Sequence, residues 1–387
     1  MKKAIVGVYI GYFASEGLLA TYWPHHMASL GMDPSEVGLV FSVRMGLAII
    51  AQPVLSALSD KFGRPRAFLK VALLLAFASV LFAPWVSGFA GMALILWIQA
   101  SPRSIVIPLI DTTSIREVGT SGYGRLRLWG SLGYGVVVAL FGFLAQRSSY
   151  EVAGKMAVPS YLLMLGLATV AVMALPKDDA PSATRPQMRQ MARLAANPVL
   201  LFFLGVHALH FASIMFYNIF LSVHLRGLGH DPSIPGFAVM VAIVGEVLAL
   251  FVFGSRATGP QMKAWSLVVM PLTALRWVAM AIFTDAWILV AIQVTHFFSY
   301  GVWLLGSLEM LGRFGPAEQR AALQGIFAAA VFGAGGVLGT WTGGVIVDVS
   351  GTQLAFVAAA GLEVVGAIGL WFFWRRAAAS GLLRADG

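Results

Sequence analysis

Apolar runs of twenty or more residues recur from one end of the chain to the other, broken by short charged or Pro/Gly-containing stretches. A helix needs about 20 such residues to cross a bilayer, so the runs read as transmembrane helices. They are continuous rather than alternating, which argues against a β-barrel. Composition agrees: 59% of residues are hydrophobic and 11% charged, against about 45–50% and 25% in soluble domains. A soluble fold built from this chain would expose large apolar patches to water. Twelve helices of about 22 residues would take about 264 residues. A chain of 387 residues therefore has room for a dozen spans and short connections, but not for a soluble domain as well.

Reading runs between breaks gives spans at 4–30, 35–57, 67–86, 89–114, 126–146, 157–175, 199–224, 234–256, 263–283, 286–311, 321–347 and 352–374. The longest polar stretch, 176–198, contains prolines and falls between the sixth and seventh spans, where it reads as a linker. The expected organisation is a six-helix bundle over 1–175, a cytoplasmic linker over 176–198 and a second six-helix bundle over 199–387. With the N-terminus inside, 20 of the 26 Lys and Arg fall on the inner side. Three (Arg147, Lys155 and Arg226) fall outside, and Arg44, Arg103 and Arg276 lie within spans. The positive-inside rule then places both termini in the cytoplasm of an inner (plasma) membrane of bacterial type. The net charge of +9 is thus topological, and no nucleic-acid partner is needed to explain it. Met1-Lys2-Lys3 opens an apolar run that continues to about Leu30 without a small-residue cleavage site, so it reads as a retained helix rather than a signal peptide. The absence of cysteine excludes disulfides, thiolate nucleophiles and Cys-ligated metal centres.

Several motifs carry a family resemblance. The segment Ser56-Ala57-Leu58-Ser59-Asp60-Lys61-Phe62-Gly63-Arg64-Pro65-Arg66 follows the second span. It resembles the G-x-L-x-D-[RK]-x-G-R-[RK] loop signature of the major facilitator superfamily of secondary transporters. Ser56 stands for the first Gly, and Pro65 interrupts the basic pair. Three longer stretches, YFASEGLLATYWPHHMASLGMDPSEVG, PLIDTTSI…GYGRLRLWGSLGYG and LQGIFAAAVFGAGGVLGTWTGGVIVD, resemble the branch of phenylpropionate, oligosaccharide and nucleoside proton symporters. Glu16 stands where that branch more often has an uncharged residue, and Gly254–Lys263 of the second half keeps little of the loop signature. The resemblance implies an all-α fold of twelve helices in two pseudo-symmetric bundles that alternate access around a central cavity. The carrier is expected to act as a monomer in the bilayer, on a small organic solute and a proton, without cofactor or metal.

Ionised side chains cost about 2.5–3.5 kcal/mol at the centre of a span, so those present are functional candidates. Arg103 reads either as the solute's partner, through its planar fork, or as a structural pair for Glu16. Pro102 beside it can bend the helix. Glu16, Glu246 and Glu363 are the candidate proton carriers, because a carboxyl in a low-dielectric site titrates with its surroundings. His210, Gln293, His296 and Asn218, with Glu16 and Arg103, are candidate solute contacts. His207 and His210 share a helix face, as do Gln293 and His296; a metal site is not expected, since no third ligand is visible. Tyr12, Trp23, Tyr217, Trp277 and Trp303 can line a site or simply pack. The resemblance implies that Asp111 and Arg127 pair near a gate and that Asp60 and Arg64 form a latch through neighbouring helix ends. The glycines of the eleventh span (Gly325, Gly333, Gly335, Gly336, Gly339, Gly343 and Gly344) let helices approach and slide. No strand precedes them, which excludes a nucleotide loop.

The leading reading is a proton-coupled symporter importing an aromatic carboxylate, a glycoside or a nucleoside. A proton-coupled efflux antiporter stands second. An intramembrane enzyme or a non-transporting receptor on the same fold stands further back, since no nucleophile elbow or complete metal-ligand set appears.

Overall fold

The computed structural model describes residues 1–178, 196–253, 260–316 and 319–379. Most of the expected linker, part of the Gly254–Lys263 loop, and the basic residues Arg185, Arg189, Arg193, Arg256 and Arg384 lie outside the described residues. Helix makes up 90% of the structure, and no strand is present among the described residues. The helices are α1 (Lys2–Ser29), α2 (Pro34–Phe62), α3 (Pro65–Val80), α4 (Gly88–Ser104), α5 (Val106–Ala145) and α6 (Tyr150–Met173). They continue with α7 (Pro198–Gly227), α8 (Ser233–Phe253), α9 (Pro260–Ile282), α10 (Ala286–Ile292), α11 (Trp303–Leu311), α12 (Arg320–Phe327) and α13 (Gly336–Ala379).

Among the described residues, eleven helical segments are long and apolar enough to cross a membrane. The last runs 55 residues, Ala322–Arg376, and is broken at Gly351, whose φ of 80° and ψ of 169° are not helical. Many of their large apolar side chains face outward, among them Leu144, Phe251 and Val349, each more than three-quarters exposed. Such a surface suits lipid, not water.

Local chemistry sets the breaks. Pro102 lies inside α4, which ends two residues later, as expected where a ring displaces a helix hydrogen bond. The tenth apolar run is not a uniform helix: α10 gives way to a 3₁₀ turn at Gln293–Thr295 and a π-helical stretch at Phe297–Val302 before α11. A second π-helical stretch, Ala328–Gly335, joins α12 to α13. Such widened turns concentrate at functional sites.

One internal repeat emerges at two connections. Leu30-Gly31-Met32-Asp33-Pro34-Ser35 links α1 to α2, and Leu228-Gly229-His230-Asp231-Pro232-Ser233 links α7 to α8. Gly31 and Gly229 adopt φ of 85° and 84°, a region that a residue without Cβ enters freely. In each copy the aspartate caps the following helix. Asp33 forms a capping box with Glu36, and Asp231 accepts from the Ser233 backbone N–H at 2.8 Å. These contacts satisfy otherwise orphaned donors at a helix start.

The chain divides into two compact units, Met1–Pro186 with Asn218–Ile243, and Gln187–Tyr217 with Val244–Gly387. In the first, α1 packs closely on α6: a Cβ on Gly11 would lie 2.6 Å from the Met164 carbonyl oxygen. Tyr22 and Tyr150 donate to the backbone carbonyls of Pro232 and Asp231 at 2.9 and 3.2 Å. In the second, Phe203, Trp303, Phe327 and Phe373 form a buried aromatic core, and a Cβ on Gly335 would lie 2.6 Å from the Ala208 carbonyl. Small residues thus permit a close seam between α7 and the π-helical stretch that leads into α13.

Candidate functional site

In the first unit, three helices bring charge to one point. Glu16 lies midway along α1, Arg44 on α2 and Arg103 near the end of α4. Arg103 donates from Nε to Glu16 Oε1 at 2.8 Å and from Nη2 to Oε2 at 2.7 Å, a two-pronged contact. This is the parallel fork geometry that makes arginine a carboxylate binder. Arg44 Nη2 donates to the same oxygens at 3.0 and 3.3 Å and to Gln99 Oε1 at 3.3 Å. Gln99 in turn donates to the Tyr161 hydroxyl. The side chains of Arg44, Glu16 and Arg103 are 4%, 15% and 21% exposed, so the cluster is buried but open along the Arg103 side. One carboxylate faces two guanidiniums, leaving one positive charge in excess. Among the described residues Arg44 Nε has no hydrogen-bond partner.

Asp111 and Arg127 do meet, though loosely, with Nε 3.9 Å from Oδ1. The shorter bond to Asp111 Oδ1 comes from the Tyr9 hydroxyl at 2.6 Å, and the Arg127 guanidinium lies 4.2 Å over the Phe13 ring. Asp60 and Arg64 are both exposed, and no ion pair joins them among the described residues. The helix end near them is capped instead by Asp178, which sequence reading missed. Its two carboxylate oxygens accept from the backbone N–H groups of Arg66 and Ala67, each at 2.9 Å.

The second unit has a cluster of different character. Arg276 of α9 is 2% exposed. It donates to Gln293 Oε1 at 2.5 Å, Ser299 Oγ at 2.6 Å and His296 Nδ1 at 3.0 Å. Its guanidinium lies 4.5 and 4.6 Å over the Tyr217 and Trp277 rings, a cation–π arrangement. All three acceptors are neutral; an imidazole nitrogen that accepts from arginine carries no proton of its own. Among the described residues no carboxylate lies within ion-pair distance of Arg276.

Ser299 links this centre to another. Its backbone carbonyl oxygen lies 2.8 Å from His210 Nε2, and His210 Nδ1 lies 2.8 Å from Glu363 Oε2. Ser213 bonds Glu363 Oε1, and Trp277 Nε1 donates to Ser213 Oγ at 3.0 Å. His210 and Glu363 are both wholly buried. One turn away, His207 Nδ1 accepts from Trp303 Nε1 at 2.9 Å.

Of the residues singled out from sequence, Glu16 and Arg103 meet, as do Asp111 and Arg127, and His210 and Glu363. Gln293 and His296 converge on Arg276. Asn218 and Glu246 are half-buried on α7 and α8. Tyr217, Trp277 and Trp303 serve these polar centres directly, and Trp23 packs edge-on to Tyr161 at 4.9 Å. Sequence reading missed Arg276, Ser213 and Ser299 as partners. A signal existed: His207-His210-Ser213 and Gln293-His296-Ser299 each recur at every third residue, one stripe along a helix face.

Comparison with known proteins places the chain. It is 26% identical over 351 residues to a maltose permease of Geobacillus stearothermophilus, covering 88% of this chain and 85% of that protein. It is 23% identical over 344 residues to a probable 3-phenylpropionic acid transporter of Escherichia coli (strain K12), covering 84% and 86%. Among solved structures, the nucleoside transporter NupG superposes with a TM-score of 0.84 at 16% identity, over 96% of this chain and 98% of that one. The profile described as the MFS_1 like family matches residues 3–358. The chain belongs to that family of membrane transporters, which are not enzymes.

Proposed function

We propose that the protein is a proton-coupled symporter that imports a small organic solute by alternating access. The solute class is an aromatic carboxylate, a glycoside or a nucleoside. The observation that carries the reading is the Glu16–Arg103 contact. A guanidinium fork near the end of α4, 21% exposed, is held by a carboxylate midway along α1, and Arg44 leaves the cluster with a surplus positive charge. A solute bearing a carboxylate, or hydroxyls in equivalent positions, can compete with Glu16 for that fork. The relatives named for maltose and 3-phenylpropionic acid support these solute classes, and the acids within spans, half-buried Glu246 and wholly buried Glu363, support proton coupling.

In the same reading the break at Gly351 divides Ala322–Arg376 into two spans, giving twelve in two six-helix halves, with both termini cytoplasmic in an inner membrane and the carrier a monomer. Uptake of labelled 3-phenylpropionate and maltose into proteoliposomes, with and without an imposed pH gradient, tests the function. Gradient-driven accumulation supports it. Accumulation only against the opposite gradient converts it to an efflux antiporter. A ligand thermal-shift panel of aromatic acids, sugars and nucleosides tests the site. Arg103→Ala is expected to remove the stabilisation by any ligand found, and wild-type affinity in that variant would take Arg103 out of the site.

A further inference from the structure

The hydrogen-bond pattern around Glu363 admits only some placements of protons. His210 Nε2 faces the Ser299 backbone carbonyl at 2.8 Å. A carbonyl only accepts, so Nε2 carries a hydrogen. The other nitrogen, Nδ1, faces Glu363 Oε2 at 2.8 Å. Without a proton between them, two lone pairs would oppose each other at that distance in a site with no exposure to solvent. One proton therefore occupies the contact. It sits on Nδ1, as imidazolium and carboxylate, or on Oε2, as imidazole and carboxylic acid. Glu16 differs in kind: both its oxygens receive N–H donors from arginines, which leaves no such place for a proton.

We infer that the His210–Glu363 pair is the proton-carrying site of this transporter, holding one transferable proton when α7 and α13 are closed. The inference deepens the proton-coupled reading above and rests on it. Release balances simply. The proton leaves to water, and His210 remains neutral with hydrogen on Nε2. Glu363 remains a carboxylate, and the two facing lone pairs then favour separation of the helices. On the Glu363 side of the Gly351 break the packing on α7 is close: a Cβ on Gly369 would lie 2.8 Å from Val206 Cγ2.

The surrounding groups fit a single transferable proton at the pair. Arg276 on α9 reaches the Ser299 hydroxyl and supplies a nearby cation for the carboxylate once the proton has gone. His296, on the apolar run that follows α9, accepts from Arg276 through Nδ1, and His207 on α7 accepts from Trp303, so both imidazoles are neutral. The Trp303 ring, 4.7 Å from His210, and Trp277 through Ser213 bring no further charge.

Two measurements on the full chain test the site. In ¹⁵N-histidine NMR of purified protein, the resonance absent from His210→Asn is expected to change with pH through loss of one proton. In Glu363→Gln, whose amide can donate permanently to Nδ1, it is expected to stay neutral. A His210 signal that never changes while the protein remains folded overturns the proposal. In proteoliposomes with 3-phenylpropionate or maltose, Glu363→Gln is expected to keep counterflow and lose uphill uptake driven by a pH gradient. Uphill uptake retained in that variant overturns the pair and leaves the symporter standing. Wild-type uptake indifferent to a pH gradient overturns the proton-coupled reading itself, and the pair's role with it.

Discussion

In the first unit, carboxylate and guanidinium groups from α1, α2 and α4 meet directly. Glu16 is gripped by Arg103 and Arg44, and one positive charge is left over. In the second unit the charges are kept apart. Arg276 is solvated by Gln293, Ser299 and His296, while Glu363 shares a proton with His210. The first cluster keeps a fifth of its Arg103 side chain open, whereas the second is sealed, with His210 and Glu363 at 0% exposure. Burying an ion is costly unless it is paired and hydrogen-bonded. The two units answer that cost differently, one by direct ion pairing and the other by a neutral shell and a retained proton. The first arrangement suits exchange of one anion for another at an arginine fork. The second suits gain and loss of a proton.

The contrast is broken most severely by removing the central carboxylate of the first unit. Glu16→Gln leaves two buried guanidiniums without a counter-charge and is expected to cost about 3–5 kcal/mol. Thermal unfolding in detergent reads the loss, and Arg44→Gln in the same chain should recover part of it. Glu363→Gln keeps a donor toward His210 Nδ1 and is expected to cost about 1 kcal/mol or less. Equal losses would mean that the second pair is held as imidazolium and carboxylate, and that the units do not differ in the way described.

Two glutamines sharpen the comparison at smaller scale, since each bonds an arginine in its own unit. Gln293→Leu removes one of the three neutral acceptors that hold Arg276, and no carboxylate remains to compensate. It is expected to cost about 1–3 kcal/mol, the penalty of an unsatisfied charged donor. Gln99→Leu leaves Arg44 with its Glu16 contacts intact and is expected to cost about 0.5–1.5 kcal/mol. Unfolding midpoints of the two variants, taken side by side, check the order; the reverse order would place the firmer ion in the second unit.

Sequence made the first unit's cluster partly legible because charge at membrane depth stands out. Glu16 and Arg103 were visible as candidates, and their pairing was one of two readings. Arg44 was not assigned to them, because residues 28 positions apart carry no spacing rule that joins one helix to another. The second unit hid more. Arg276 has neutral partners, and serine in an apolar helix gives no charge signal, so only their three-residue spacing from His210 and His296 marked Ser213 and Ser299. Most spans were legible from apolar run length. The irregular turns at Gln293–Thr295 and Phe297–Val302 were not, since run length alone does not tell a 3₁₀ or π-helical turn from an α-helical one. The cap on the helix that follows the loop motif was hidden for a similar reason. A helix start can be capped by any nearby acid, and Asp178, 112 residues from Arg66, does so here.

The smallest expected effect concerns the Asp111–Arg127 pair that the family resemblance implies. Arg127 and Asp111 stand 3.9 Å apart, with side chains 31% and 24% exposed. Pairs of this kind contribute about 0–1 kcal/mol. Asp111 is held more firmly by the Tyr9 hydroxyl at 2.6 Å, a charge-assisted bond contributing about 1.5–3 kcal/mol. Arg127→Gln is therefore expected to leave the unfolding midpoint nearly unchanged, while Tyr9→Phe lowers it. In transport, Arg127→Gln should alter the rate of solute uptake more than its half-saturating concentration, because the guanidinium lies over Phe13 and not at the Glu16 fork. A larger stability loss for Arg127→Gln than for Tyr9→Phe would make this pair a second strong ion pair of the first unit, and direct pairing would then be the rule of that unit rather than a property of the Glu16 cluster.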